Sequence, residues 1–238
     1  MKKITAMLLV LVMVLAFAGC TGNENPTTTT IAPAPQVQVM TYAEFMAAAV
    51  DTECVVEFYV QATQGWWDNS IVIYGQTEDG GYFSYGTVCT EEQSKQLTPG
   101  TKVRVTGKKA VYDGEVEIMN GQLEILGGDT WTATALDVTA MLGTEELEQH
   151  MNKKVCFKGL TLEAVEYKNG APGDDIYVTL GYNGASYSFC VEVYLTGTET
   201  DVYKAFETLQ VGDVVDVEGF MYWYKGPNAH ITSIVKAA

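Results

Sequence analysis

The chain has 238 residues, 30 acidic against 14 basic, a net charge of −16, 23 glycines and 14 tyrosines. This composition suits a β-rich, turn-rich protein, and its field repels polyanions unless a strong local basic patch overrides it. Arg104 is the only arginine. Phosphoryl-transfer and nuclease chemistry, which lean on the planar guanidinium fork, are therefore disfavoured.

Met1-Lys2-Lys3 precedes an apolar run from Ile4 to Ala18, which ends in Phe17-Ala18-Gly19-Cys20. The run falls short of the roughly 20 residues a membrane-spanning helix needs, and small residues lead into a cysteine. The segment resembles a bacterial lipoprotein signal, with Phe17 where leucine is usual. That resemblance implies removal of residues 1–19, acylation of Cys20 and an extracytoplasmic, lipid-anchored protein. Residues 20–40 carry four consecutive threonines and three prolines and read as a disordered tether.

A first unit spans residues 41–126. Thr41-Tyr42-Ala43-Glu44 is a capping box that opens a short helix to about Val50. From Cys54 to Thr63, Cys54, Val56, Phe58 and Val60 alternate with Val55, Glu57, Tyr59 and Gln61, as a half-buried strand does. A turn at Trp66-Trp67-Asp68-Asn69 leads to strand Ile71–Tyr74, a hairpin at Glu78–Gly81 and strand Tyr82–Tyr85. Thr90–Gln93 caps a brief helix; strand Lys102–Val111 then turns at Asp113-Gly114 into Glu115–Leu126. Residues 127–143, with Trp131 and the run Leu136–Leu142, form a packed connector.

The second unit, residues 144–238, repeats that order. Thr144 opens a helix, strand Lys154–Glu166 follows, and strand Asp175–Leu180 turns at Asn183-Gly184 into Ser186–Leu195. A helix over Asp201–Leu209 precedes strand Val214–Trp223, a turn at Lys225–Asn228 and strand Ala229–Val235. The pattern L-x-x-G-x-x-V-x-V-x-G occurs in both units, at Leu97–Gly107 and Leu209–Gly219. A repeat of this size signals duplication of one small domain. Its valines should face inward, and its last glycine should mark a bend before the final hairpin. The outward residues differ: Lys102 and Arg104 are matched by Val214 and Asp216.

Three strands, a helix and a hairpin give the connectivity of the OB-fold. The expected fold class is all-β with short helices: two tandem OB-like five-stranded barrels. Together with Asp201-Val202-Tyr203-Lys204 and Gly219–Tyr224, these motifs resemble the tandem OB-fold lipoproteins of gut Firmicutes. The resemblance implies fold and location and brings no catalytic residues.

OB-folds bind across strands two and three, between the loops joining strands one to two and four to five. In the first unit those places carry Trp66, Trp67, Tyr74, Tyr82 or Tyr85, and Tyr112. In the second they carry Tyr182, Tyr222, Trp223 and Tyr224. Aromatic faces with few cations suit stacking on sugar rings, peptides or bases. An alternative is single-stranded nucleic acid held by Lys102, Arg104, Lys108 and Lys109; another is a structural part in an envelope assembly. His150 and His230 stand far apart, the acidic pairs Glu78-Asp79 and Asp174-Asp175 lack a metal-ligand spacing, and no nucleophile motif is present. The expectation is a non-enzymatic binding protein without metal or cofactor. Cys54, Cys89, Cys156 and Cys190 sit at non-equivalent places in the repeat, which favours free thiols over one bridge per unit.

Overall fold

The chain is described from a computed structural model covering residues 38–237. The signal segment, Cys20 and nearly all of the tether lie outside the described residues.

Helix α1 (Tyr42–Ala47) starts as its capping box demands: Glu44 N–H donates to Thr41 Oγ1 at 3.2 Å and Thr41 N–H to Glu44 Oε2 at 2.8 Å. It is shorter than expected, ending at Ala47. Strand β1 (Glu53–Thr63) buries Cys54, Val56, Phe58 and Val60. It pairs with β2 (Ser70–Gln76), and β2 with β3 (Gly81–Val88). Helix α2 (Glu91–Ser94), with its own Thr90–Gln93 capping box, leads to β4 (Lys102–Tyr112) and β5 (Glu115–Ile125). Strand β5 lies parallel to β3 and β4 returns to β1, closing the barrel in the order β1-β2-β3-β5-β4. This is the OB-fold.

The second barrel follows the same course. Strands β7 (Lys154–Tyr167), β8 (Ile176–Tyr182), β9 (Ala185–Val191), β11 (His230–Lys236) and β10 (Val214–Phe220) are neighbours in that order, and β10 also pairs with β7. Residues Leu136–Asp137 of the connector form β6, added parallel to the edge of β7. Local expectations fail where tertiary packing overrides pattern. The segment at Thr144 winds as a 3-10 turn (Glu145–His150) with no side-chain cap. Strand β9 ends at Val191, and Val193–Thr196 curls into a single helical turn, α3. The helix expected over Asp201–Leu209 is α4 (Asp201–Lys204) plus a 3-10 turn at Ala205–Glu207. Strand β10 stops at Phe220, three residues before Trp223.

The repeated motif has matching geometry in both barrels. Gly100 and Gly212 take φ of 93° and 96°, a region costly to side-chain-bearing residues. Each N–H donates at 2.7 Å to the strand it crosses, Gly100 to Val60 O and Gly212 to Leu162 O. Val103, Val105, Val215 and Val217 are all buried. The closing glycines sit at register shifts, between Thr106 and Lys108 on β4 and between Glu218 and Gly219 on β10. A bulge bends the strand and raises its twist, which lets it leave one neighbour for the next.

The two barrels belong to one compact unit. Between them Tyr74 and Phe83 of the β2–β3 face pack on Phe220 and Tyr222, with Tyr74 stacked on Phe220 at 4.7 Å and Phe83 edge-on to Tyr222 at 5.1 Å. Polar bonds flank this patch. Asn152 Nδ2 donates to Glu115 Oε1 at 2.6 Å, Trp223 N–H to Glu115 Oε2 at 2.8 Å, and Lys154 N–H to Gln76 Oε1 at 2.7 Å. Cys54, Cys89 and Cys190 are buried free thiols and Cys156 is a half-buried one.

Candidate functional site: an aromatic cleft completed by both barrels

The second barrel covers the Tyr74–Phe83 end of the first barrel's β2–β3 face and leaves the other end open. There a cleft of ≈ 430 Å³ is lined by Gln64, Trp66, Trp67, Val72, Tyr85 and Tyr194, among others. None of its lining residues is charged. The volume falls in the range of small-ligand pockets, about 300–1,000 Å³.

Each wall follows from local sequence. Trp67 and Ser70 exchange backbone hydrogen bonds of 2.9 Å around a two-residue turn. Asp68 and Asn69 take φ of 47° and 59° in that turn, a left-handed pair that aspartate and asparagine tolerate better than most residues. The turn throws Trp67 outward, 80% exposed. Trp66 points the other way, packs on the first core and donates its Nε1–H to Cys89 O at 3.0 Å. Tyr85 (51% exposed) rises from β3 and Tyr194 (68% exposed) comes from α3 of the second barrel.

Tyr194 is docked by backbone and side chain together. Gly65 N–H donates to Tyr194 O at 3.1 Å, and Val193 N–H to Asp175 Oδ1 at 2.9 Å. Behind the cleft, Gln64 Nε2 donates to Glu192 Oε2 and, at 3.2 Å, to the Tyr74 hydroxyl. The Tyr74 hydroxyl shares a 2.6 Å hydrogen bond with His230 Nδ1, and Glu192 Oε2 lies 3.7 Å from the same nitrogen. Burial holds this imidazole neutral, with its pKa lowered to about 3. Burial, with Asp175 adding to it, raises the Glu192 carboxyl to about 7. The Glu115 carboxyl, fully buried where Glu192 is half-buried, is raised to about 8.

The sequence candidates separate into three groups. Trp66, Trp67 and Tyr85 meet in the cleft. Tyr74 does not: it is 1% exposed and fastens the barrels together. Tyr82 stacks on Phe58 inside the first core at 5.2 Å. Tyr222 is half-buried, stacked at 4.2 Å on His230. Trp223 and Tyr182 are also half-buried, packed on the second core. These residues were expected at a ligand surface, and the docking of one barrel on the other took that surface from Tyr74 and Tyr222. Tyr112 and Tyr224 are exposed and stack on each other at 6.1 Å, joining the β4–β5 and β10–β11 loops. Trp223 and Tyr224 also line a larger hollow of ≈ 740 Å³, whose rim carries Glu145, Glu148 and Lys225. Glu192 and Tyr194 were missed because Val191-Glu192-Val193-Tyr194-Leu195 alternates like a strand. The one signal for a break was Gly197, the C-cap of α3 at φ 78°.

Most cations of the basic strand are engaged by their neighbours. Arg104 stands between Glu57 and Glu124 in cross-strand register, Nη2 2.7 Å from Glu57 Oε1 and Nη1 2.7 Å from Glu124 Oε2. Lys102 Nζ lies 3.7 Å from the same Glu57 carboxylate. Lys109 is buried, its Nζ donating to Met46 O at 2.6 Å and Ala48 O at 2.8 Å at the end of α1. Lys108 is the member of the four left exposed and without an ion pair among the described residues. Neighbouring strands and the end of α1 use the remaining charges. Among the described residues no group of three or more His, Cys, Asp or Glu is gathered as a metal site.

The buried ionisable groups make stability depend on pH in a stated direction. Glu115 and Glu192 rise from 4.5 to about 8 and about 7, so their contribution is full below 4.5 and is lost as pH climbs through those values. His230 falls from 6.5 to about 3, so its contribution is full above 6.5 and is lost on acidification towards 3. Above pH 4.5 two carboxyls lose stability while one imidazole gains it, so urea-denaturation midpoints should peak near pH 4.5 and fall towards pH 8. Glu115→Gln should flatten the alkaline limb; a wild-type midpoint that stays level up to about pH 8.5 would contradict the assignment.

No protein-family model matches the chain, and no curated protein matches it in sequence. Among solved structures it is similar to a murine DNA binding protein bound with double-stranded DNA, at 7% identity and a TM-score of 0.38, over 77% of this chain and 96% of that one. It is also similar to a replication protein A heterotrimer bound to single-stranded DNA, at 11% identity and a TM-score of 0.31, over 79% of this chain and 51% of that one.

Proposed function

We infer that this protein is a non-enzymatic binding protein that takes a neutral, ring-bearing ligand, a glycan chain, into the cleft between Trp67, Tyr85 and Tyr194. The observation that carries the reading is a ligand-sized cleft with four aromatic side chains and no charged lining residue. Pyranose rings present flat C–H faces to aromatic rings, and their hydroxyls find partners in Gln64 and Ser70. The N-terminal signal and Cys20 support placement of this head outside the cytoplasmic membrane, held by acyl chains and spaced by the tether.

A second reading is single-stranded nucleic acid. It is favoured by the position of the cleft, on the strand-two and strand-three face beside the first loop, where OB-folds stack bases on aromatic rings. The pairing of Arg104 and Lys102 and the net charge of −16 weigh against it.

Titration of the full-length chain in detergent with hexamers of glucose and of N-acetylglucosamine, beside single-stranded DNA, separates the two. A glycan ligand should bind with little salt dependence. Trp67→Ala and Tyr194→Ala should each weaken it by about tenfold or more, the scale of a lost stacking partner. Single-stranded DNA that binds in low salt and weakens steeply at physiological salt would replace the glycan reading.

A further inference from the structure

We propose that Glu192 is the positioning residue of the aromatic cleft: its carboxyl ties Gln64, at the root of the Trp66–Trp67 loop, to the helical turn that carries Tyr194. The inference rests on the cleft being the ligand site, and it names what controls that site.

Glu192 belongs to both walls at once. Its backbone carbonyl accepts from Leu195 and Thr196 N–H at 3.0 Å each, so it is the residue on which α3 is wound. Its side chain accepts from Gln64 Nε2 across the barrel interface. Two residues further along each segment stand Trp66 and Tyr194, and the backbone bond from Gly65 to Tyr194 O joins them at the rim. The spacing between the tryptophan loop and Tyr194 is therefore set by one side-chain bridge behind the cleft and one backbone bond at its edge.

The surroundings make the bridge respond to protonation. Tyr74 from β2 and His230 from β11 face the carboxyl at 3.3 Å and 3.7 Å. From the second barrel Asp175 disfavours its charge and Lys168 favours it, while Tyr222 and Cys190 lie within reach of its field. His230 stays neutral at all but acid pH, and burial pushes the Tyr222 and Cys190 protons up. Loss of the Glu192 proton turns the bridge from Gln64 into a charge-assisted hydrogen bond, roughly twice as strong as a neutral one. The walls should then be held more firmly, and a stacked ligand should bind about fivefold more tightly on the alkaline side.

The test labels the full-length chain with 5-fluorotryptophan and follows the fluorine resonances of Trp66 and Trp67 from about pH 5.5 to 8.5 without ligand. Wild type should show both moving with a midpoint near 7. Glu192→Gln, which keeps an acceptor but cannot ionise, should hold them still, and Gln64→Ala should do the same while leaving Glu192 free to titrate. Static tryptophan resonances in the wild type, or the same movement in Glu192→Gln, would overturn the proposal. Affinity for the N-acetylglucosamine hexamer should rise over the same interval and become level in Glu192→Gln. Moving resonances with no binding of either hexamer at any pH would support the positioning role and overturn the glycan reading.

Discussion

Replacing Tyr74 with alanine should cost about 4 kcal/mol of unfolding free energy, within the range for deleting a fully buried aromatic ring. The ring is 1% exposed and packs on Phe83 and Phe220 at 5.1 Å and 4.7 Å, one from each barrel. The loss has a second component, because the hydroxyl accepts from Gln64 and shares a hydrogen bond with His230. Tyr74→Phe isolates it: the rings stay packed while His230 Nδ1 loses its partner, at a cost of about 1–3 kcal/mol. Urea unfolding of both variants separates packing from hydrogen bonding. A cost below about 1 kcal/mol for Tyr74→Ala would mean that this ring does not hold the barrels together.

Gly219→Ala should be nearly as damaging, about 3 kcal/mol. A Cβ there would be driven into the His230 carbonyl oxygen and would lie 2.9 Å from the carbonyl carbon. The obstacle is backbone of the paired strand at a bulge, which cannot swing aside as a flexible side chain would. Displacing it also disturbs the Tyr74–His230 bond. Gly212→Ala supplies the comparison within the same motif. Nothing stands near a Cβ at Gly212, and the cost there is conformational strain at φ 96°, about 1–2 kcal/mol. If Gly219→Ala unfolds at the higher urea concentration of the two, close approach at the bulge is not what the motif's last glycine serves.

Both predictions come from features with very different visibility in the sequence. The glycines were legible because a bulge and a left-handed turn are local requirements, and duplication wrote them twice at the same spacing. Trp67 was legible for a similar reason, since Asp68 and Asn69 tolerate the left-handed conformation of a two-residue turn better than most residues. Tyr74 was not. On a strand, a tyrosine that will meet solvent and one that will meet a second barrel have the same alternating neighbours. The pairing of Arg104 was hidden for the complementary reason: a cation on a strand looks free until the register places Glu57 and Glu124 on either side of it.

By itself, then, the sequence determined the two barrels, their strand order, the inward valines and the aromatic loop, because period-two burial, capping boxes and turn residues act over a few neighbours. Tertiary structure alone decided which face of the first barrel stayed open, that Tyr194 would complete it, that Glu115 and His230 would be ionisable groups cut off from water, and that Glu192 would be half-buried at the barrel interface. Those outcomes depend on contacts between residues more than 100 positions apart, such as Gln64 with Glu192 and Tyr74 with His230. Burial and pairing at such distances are properties of the docked surfaces, and no local pattern encodes them.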